Sequence, residues 1–181
     1  MAVGDLRQSV SVLPVVAARL NPKLACKLRN IKLVVTDVDG VLTDGGLYYG
    51  PDGECLKRFH ARDGLGVRML QQAGIQVAVL SGRDCPALRR RLADLGIAEA
   101  VLGQVDKRAA LSGIMERCGV AAEEVAFIGD DIPDMEVFNQ CGMSVTVGDA
   151  PDYVKARADL VLECGGGLGA FREFIDIFLS G

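Results

Sequence analysis

The sequence predicts an α/β chain: a doubly wound parallel sheet in three layers, with one β-hairpin outside the alternation. Three observations carry this. Short β-branched runs of strand length recur along the chain. Between them lie segments of helical length, punctuated by proline at their starts or glycine behind their ends. One stretch, residues 46–60, instead has two extended runs flanking a turn sequence. Strands alternating with helices imply a parallel sheet covered on both faces, joined by right-handed crossovers.

The strongest strand patterns are residues 32–36 (KLVVT), 76–80 (QVAVL) and 125–128 (VAFI), whose continuous apolar character fits burial on both faces. Weaker strand patterns occupy 99–102, 143–147 and 159–162. Helices are expected at 64–72, stopped by Ala73-Gly74, and at 86–95, which opens on Pro86 and ends before Gly96. Further helices are expected at 107–118, 135–140, 152–158 and 170–179. In the 46–60 segment, Gly50-Pro51-Asp52-Gly53 is a strong turn sequence, and we read this segment as a hairpin projecting from the sheet. The domain is expected to run from 31 to 181, after an N-terminal extension of residues 1–30.

Composition narrows the function. A chain of 181 residues suits one domain with a continuous core. The net charge of −4 argues against a nucleic-acid binder, which needs a concentrated basic face. No apolar run reaches the roughly 20 residues a membrane-spanning helix requires. The apolar stretch 10–18 fits a secretory signal poorly, because Asp5 offsets Arg7 and Pro14 interrupts it. The six cysteines form no CxxC pair and His60 is the one histidine, which argues against structural zinc. Scattered cysteines of this kind read as reduced residues of a cytoplasmic protein.

The chemistry is suggested by position. Each strong strand delivers polar residues where its apolar run stops: Asp37-Val38-Asp39-Gly40, Ser81-Gly82-Arg83, and Gly129-Asp130-Asp131 with Asp134 nearby. Ligands of open parallel sheets bind outside the carboxyl ends of the strands, so three such ends can converge on one crevice. In a continuing strand Asp37 and Asp39 would face opposite ways, but Gly40 suggests that the chain turns there. With Asp130 these carboxylates would make hard oxygen ligands suited to Mg2+, and without a cation they would repel one another. A calcium-loop reading fails, since Val41 stands where a third oxygen ligand is expected and Tyr48 replaces the closing glutamate. Asp131 and Asp134 also suit a helix N-cap. Lys107, at a helix start, is disfavoured there by the helix dipole, which tilts the reading toward a functional role.

These residues resemble a known family. Asp37-Val38-Asp39-Gly40-Val41-Leu42-Thr43 resembles the first motif of the haloacid-dehalogenase superfamily. Ser81 resembles its second motif, Lys107 its third, and Gly129-Asp130-Asp131 with Asp134 its fourth. The stretches TDVDGVLTDG, FHARDGLG, VLSGRD, IGDD and GGLGAFRE are closer to one branch, the 3-deoxy-D-manno-octulosonate 8-phosphate (KDO-8-phosphate) phosphatase family, and span residue 31 to the C-terminus. The resemblance implies a HAD-like, Rossmannoid fold with the hairpin in place of a cap domain, and four subunits that close one another's sites. It implies an Mg2+-dependent phosphatase acting on a small phosphorylated sugar acid in lipopolysaccharide precursor synthesis.

By the same resemblance Asp37 is the nucleophile, Asp39 the acid and base, and Asp37, Asp130 and the Asp39 backbone carbonyl hold the metal. Ser81 and Lys107 contact the phosphate, with Asp131 and Asp134 in support. Gly82 and Arg83 adjoin the substrate, Arg83 being the first candidate for a carboxylate partner, with Arg62 and then Arg172 behind it. A surface ion pair is the competing reading for each arginine. The run Arg89-Arg90-Arg91 reads as a solvated helix face, and His60 as a packed or surface residue of the hairpin. The glycine-rich tail 164–173 has three readings: a phosphate-cradling loop before a helix, a segment that the resemblance sends toward a neighbouring subunit's site, or a flexible connection to the last helix. A phosphatase for a nine-carbon sugar acid, and a catalytically silent oligomerisation domain, are the alternatives.

Overall fold

The computed structural model describes residues 21–180. The apolar stretch 10–18 lies outside them. The chain begins with α1 (Pro22–Asn30), for which Asn21 is the N-cap, its side chain accepting the Leu24 N–H at 2.9 Å. Leu24 and Leu28 are buried in the core, and Lys27 pairs with Asp159 at 2.6 Å. The last third of the segment read as an extension is therefore a helix docked on the domain.

Strand β1 (Leu33–Thr36) is buried at every residue. The hairpin follows as β2 (Tyr48–Gly50) and β3 (Gly53–Leu56), antiparallel and separate from the main sheet. Then come α2 (Ala61–Gln72), β4 (Gln76–Ser81), α3 (Pro86–Leu95), β5 (Glu99–Leu102) and α4 (Lys107–Cys118). A single 3-10 turn (Ala122–Glu124) leads into β6 (Val125–Gly129) and α5 (Ile132–Phe138). The chain finishes with β7 (Met143–Thr146), α6 (Asp152–Lys155), β8 (Leu160–Val161) and α7 (Ala170–Ser180).

The six main strands are parallel, in the order β5-β4-β1-β6-β7-β8. The chain builds outward from β1 through β4 to β5, then crosses back to β6 on the other side of β1. That reversal leaves a crevice at the carboxyl end of β1, between the ends of β4 and β6.

Two helices begin three residues earlier than the sequence pattern suggests. α2 starts at Ala61 because the His60 imidazole caps it, accepting the Arg62 N–H at 3.3 Å. Its two early glycines weaken the helical pattern, yet both are buried where helices approach closely. A Cβ on Gly64 would lie 2.5 Å from Arg91 Nη2, and one on Gly66 3.3 Å from Ile175. α5 starts at Ile132 because Asp131 Oδ1 accepts the Ile132 N–H at 2.8 Å and Asp134 Oδ2 accepts the Asp131 N–H at 3.2 Å.

α7 closes the domain. Phe171, Phe174, Ile175 and Ile177 are buried on one face, each contributing about 1.5–3 kcal/mol of apolar burial. The helix is also tied by a buried polar contact, Asp63 Oδ1 accepting the Arg172 N–H at 2.9 Å. No helix among the described residues is long and apolar enough to cross a membrane.

Candidate active site

β1 ends in a tight turn. The Asp37 N–H still pairs with the Ile128 carbonyl at 2.9 Å, as a strand residue would. Immediately after it, the Val38 carbonyl accepts the N–H groups of Val41, Leu42 and Thr43 at 2.9–3.3 Å. Gly40 has φ +85°, a region that disfavours a side chain. A Cβ there would also lie 2.0 Å from Asp130 Oδ2, so the Asp130 carboxylate rests against the Gly40 backbone. The turn is why Asp37 and Asp39 share one crevice rather than opposite faces of the sheet.

That crevice has a volume of about 450 Å³, and Asp37, Asp39, Ser81, Gly82, Arg83, Lys107, Asp130, Asp131 and Asp134 all line it. Nine of the eleven residues given a site role from the sequence thus meet at one rim. Arg62 and Arg172 are the exceptions. They line a separate cleft with Leu65 and Leu168, bordered by Glu173 and Asp176. Arg172 is further engaged through its Nε with Asp176 at 2.7 Å. Arg89 pairs with Asp84 and Arg90 with Asp94, as a solvated face would, whereas Arg91 lies 5.6 Å over the Phe59 ring.

Asp37 is 7% exposed, and its carboxylate meets Lys107 Nζ at 3.1 Å. Lys107 also meets Asp134 Oδ1 at 2.7 Å. Asp134 Oδ2 accepts the N–H groups of Asp130 (2.9 Å) and Asp131 (3.2 Å), so both of its oxygens are occupied. Asp134 was expected mainly as a helix cap; it is also the anchor of Lys107. Burial works to lower the Lys107 pKa, but the charges of Asp37 and Asp134 outweigh it and raise it. Ser81 is buried at the end of β4, its Oγ accepting the Arg83 N–H at 3.2 Å.

Carboxylate oxygens of Asp37, Asp130 and Asp134 lie within 4.8 Å of one another. With Asp134 fully bonded, Asp37 and Asp130 keep free lone pairs. Three carboxylates against one ammonium leave the cluster electrostatically incomplete. Burial first, and then the Asp134 charge, raise the Asp37 pKa to about 7 in spite of Lys107. Burial, Asp37 and Asp134 raise that of Asp130 to about 8. A divalent cation with a preference for oxygen would relieve both strains, so this donor set fits Mg2+.

The Asp39 carboxylate stands outside that cluster. Its Oδ1 is bonded by Lys57, and its Oδ2 lies 3.7 Å from Arg83 Nε. Lys57 was not singled out from the sequence, where it is one basic residue in a hairpin arm with no distinguishing pattern.

The glycine-rich tail packs against the turn after β1. Gly167 N–H donates to the Val41 carbonyl at 3.0 Å, and a Cβ on Gly166 would lie 2.0 Å from the Gly40 carbonyl oxygen. Asp149 accepts the Gly166 N–H at 2.9 Å, and Glu173 accepts that of Cys164 at 2.8 Å. The absence of side chains lets the tail backbone seat directly on the turn that carries Asp37 and Asp39.

Comparison with known proteins agrees with this geometry. The haloacid dehalogenase-like hydrolase family model matches residues 95–165. The chain is 58% identical over 154 residues to the 3-deoxy-D-manno-octulosonate 8-phosphate phosphatase KdsC of Haemophilus influenzae, covering 85% of this chain and 86% of that protein. It is 44% identical over 153 residues to the KdsC of Escherichia coli K12, covering 84% and 81%. Among solved structures, the cobalt-bound phosphatase of Haemophilus influenzae superposes with a TM-score of 0.84 at 58% identity, covering 84% of this chain and 90% of that one. The Moraxella catarrhalis phosphatase, in complex with a magnesium ion, a phosphate ion and a KDO molecule, superposes with a TM-score of 0.82 at 37% identity, covering 85% and 88%. The chain belongs to the 3-deoxy-D-manno-octulosonate 8-phosphate phosphatase family of haloacid dehalogenase-like hydrolases.

Proposed function

We propose that this chain hydrolyses 3-deoxy-D-manno-octulosonate 8-phosphate to the free sugar acid and inorganic phosphate through an aspartyl-phosphate on Asp37, with Mg2+ as cofactor. One observation carries the reading: Asp37, Asp130, Lys107 and Ser81, from four separate segments, line a single crevice at the carboxyl end of the sheet.

Phosphate-monoester hydrolysis is among the slowest uncatalysed reactions, and passing through a covalent intermediate divides its barrier. Asp37 Oδ attacks phosphorus as the bond to the sugar oxygen breaks. The Asp39 carboxyl gives its proton to that leaving oxygen. It then takes a proton from the water that attacks the aspartyl-phosphate, releasing phosphate and restoring the Asp37 carboxylate. Lys107 and the Ser81 hydroxyl hold the phosphoryl oxygens, and Asp134 fixes Lys107 for that task. Bound Mg2+, held by Asp37, Asp130 and the Asp39 carbonyl, supplies the positive charge that lets an anionic nucleophile approach an anionic phosphate. Arg83, with Gly82 at the mouth of the crevice, takes the substrate carboxylate.

We place the catalytic domain at residues 31–181, with α1 docked on it. We infer a homotetramer, supported by the exposed apolar side chains of the hairpin: Tyr48, Tyr49 and Leu56 are 43%, 65% and 62% exposed. In such an assembly Arg62 would serve a neighbouring site rather than its own. A cytoplasmic location is supported by six cysteines that form no disulfide, Cys26 and Cys55 among them exposed.

The test is Mg2+-dependent phosphate release from eight- and nine-carbon sugar acid phosphates by the wild-type protein and Asp37→Asn. We expect preference for the eight-carbon substrate and loss of turnover in the variant, with the fold kept. Preference for the nine-carbon compound would overturn the substrate, and an active Asp37→Asn would remove Asp37 as nucleophile.

A further inference from the structure

The crevice explains Asp37 and its neighbours, but not what holds Asp39. Asp39 sits on the turn after β1, and its carboxylate is not a member of the Asp37, Asp130 and Asp134 cluster. Among the described residues, the hydrogen bond to that carboxylate comes from Lys57, three residues from the end of the hairpin segment. The Lys57 side chain is 0% exposed and does not line the crevice. Its ammonium is also paired with Glu54 of β3 at 2.7 Å. A lysine withdrawn from solvent between two carboxylates, one on the hairpin and one on the turn, is a fixed strut rather than a surface cation.

We infer that Lys57 is the positioning residue for Asp39, holding its carboxyl at one place through both proton transfers, with Glu54 anchoring Lys57 to the hairpin. The reaction asks the Asp39 carboxyl to give a proton to the departing sugar oxygen and then to accept one from water arriving at phosphorus. Both events occur in the same small volume, and a carboxyl free to rotate about its Cα–Cβ bond would be misplaced for much of the time. Lys57 fixes Oδ1, while Arg83, 3.7 Å from Oδ2, stands on the crevice side. The hairpin thereby takes part in catalysis without touching substrate.

This inference rests on Asp39 being the acid and base, and the experiment separates the two. Lys57→Met, Lys57→Arg and Asp39→Asn are compared on the sugar acid 8-phosphate, whose alkoxide needs protonation, and on p-nitrophenyl phosphate, whose phenolate does not. Lys57→Met is expected to lower kcat on the sugar acid phosphate by about 10²-fold, with KM changed less than about threefold. On p-nitrophenyl phosphate it should keep a burst of one equivalent of phenolate, followed by slow turnover, because the aspartyl-phosphate forms but water is poorly activated. Lys57→Arg should recover much of the loss. If Lys57→Met unfolds, Glu54→Gln combined with Lys57→Met removes the stranded glutamate and allows the same measurement.

Wild-type kcat in the methionine variant, a raised KM alone, or equal loss of burst and turnover on both substrates would overturn the role of Lys57. If Asp39→Asn itself cleaves the sugar acid phosphate normally, the reading of Asp39 fails instead.

Discussion

Lys107 Nζ lies 2.7 Å from Asp134 Oδ1, and this buried contact orders the rest of the site. Asp134 holds Lys107 with one oxygen and the backbone of Asp130 and Asp131 with the other. It thereby links the β6 end to the α4 start, and Lys107 carries the link on to Asp37.

Removing Asp134 should therefore do more than remove a cap. Asp134→Ala leaves Lys107 with one carboxylate and strands two N–H groups, at a cost of roughly 3–5 kcal/mol. Thermal and denaturant unfolding would measure that. Lys107→Met breaks the same buried pair and should also lower stability, but it should in addition lower kcat by about 10²-fold or more, through loss of charge at the phosphoryl group. Similar stability in Asp134→Ala and the wild type would refute the anchoring role.

The crowded carboxylates make the metal-free protein sensitive to pH. Asp37 and Asp130 titrate near about 7 and about 8 in the fold, against ordinary values of 3.8. Between those limits the folded chain binds more protons than the unfolded one, so stability falls as pH rises from about 4 to about 8. In chelator the melting temperature should decline over that range, and the increment produced by Mg2+ should grow. Asp130→Asn should flatten the decline and raise the melting point of the chelated protein at pH 8, on the order of 1–2 kcal/mol or a few degrees. It should also abolish the Mg2+ increment. A chelated wild type that grows more stable toward pH 8 would contradict the charge crowding.

Arg83 is half-exposed at the crevice, close to Asp39 yet free to reach substrate. Arg83→Ala should raise KM for the sugar acid phosphate by about 10- to 100-fold, the value of a charge-assisted contact. It should change KM for p-nitrophenyl phosphate, which has no carboxylate, far less. Equal effects on both substrates would place Arg83 at the phosphate instead.

Gly166 tests the seating of the tail. An alanine Cβ would lie 2.0 Å from the Gly40 carbonyl oxygen, and backbone stands on both sides of the clash. Gly166→Ala should cost roughly 1–3 kcal/mol by overpacking and should lower kcat, because the displaced turn carries Asp37 and Asp39. A variant with unchanged melting and turnover would show that the tail does not set the turn.

Much of this was legible in the chain. Apolar strand runs stopping at Asp37, Ser81 and Gly129 announced the sheet, its carboxyl edge and most of the crevice, because burial dictates continuous apolar character and function dictates its end. The helix starts at Ala61 and Ile132 were not legible, because a histidine cap and an Asp-Ile-Pro-Asp sequence are weak local signals until hydrogen bonds assign them. The triple glycine at 165–167 suggested mobility for the same reason: a residue without a side chain looks identical whether it moves or lies under another backbone.

The order and chemical kind of the residues were thus fixed along the sequence: carboxylates at the ends of β1 and β6, a hydroxyl at the end of β4, an amine at the start of α4. Tertiary structure alone decided which of them touch. It gave Lys107 to Asp37 and Asp134, gave Lys57 to Asp39, and sent Arg62 to another cleft. The reason is physical. Strand patterns follow from local burial, but the pairing of one charge with another depends on distances between segments far apart in the chain, and those are set when the strands assemble in the order β5-β4-β1-β6.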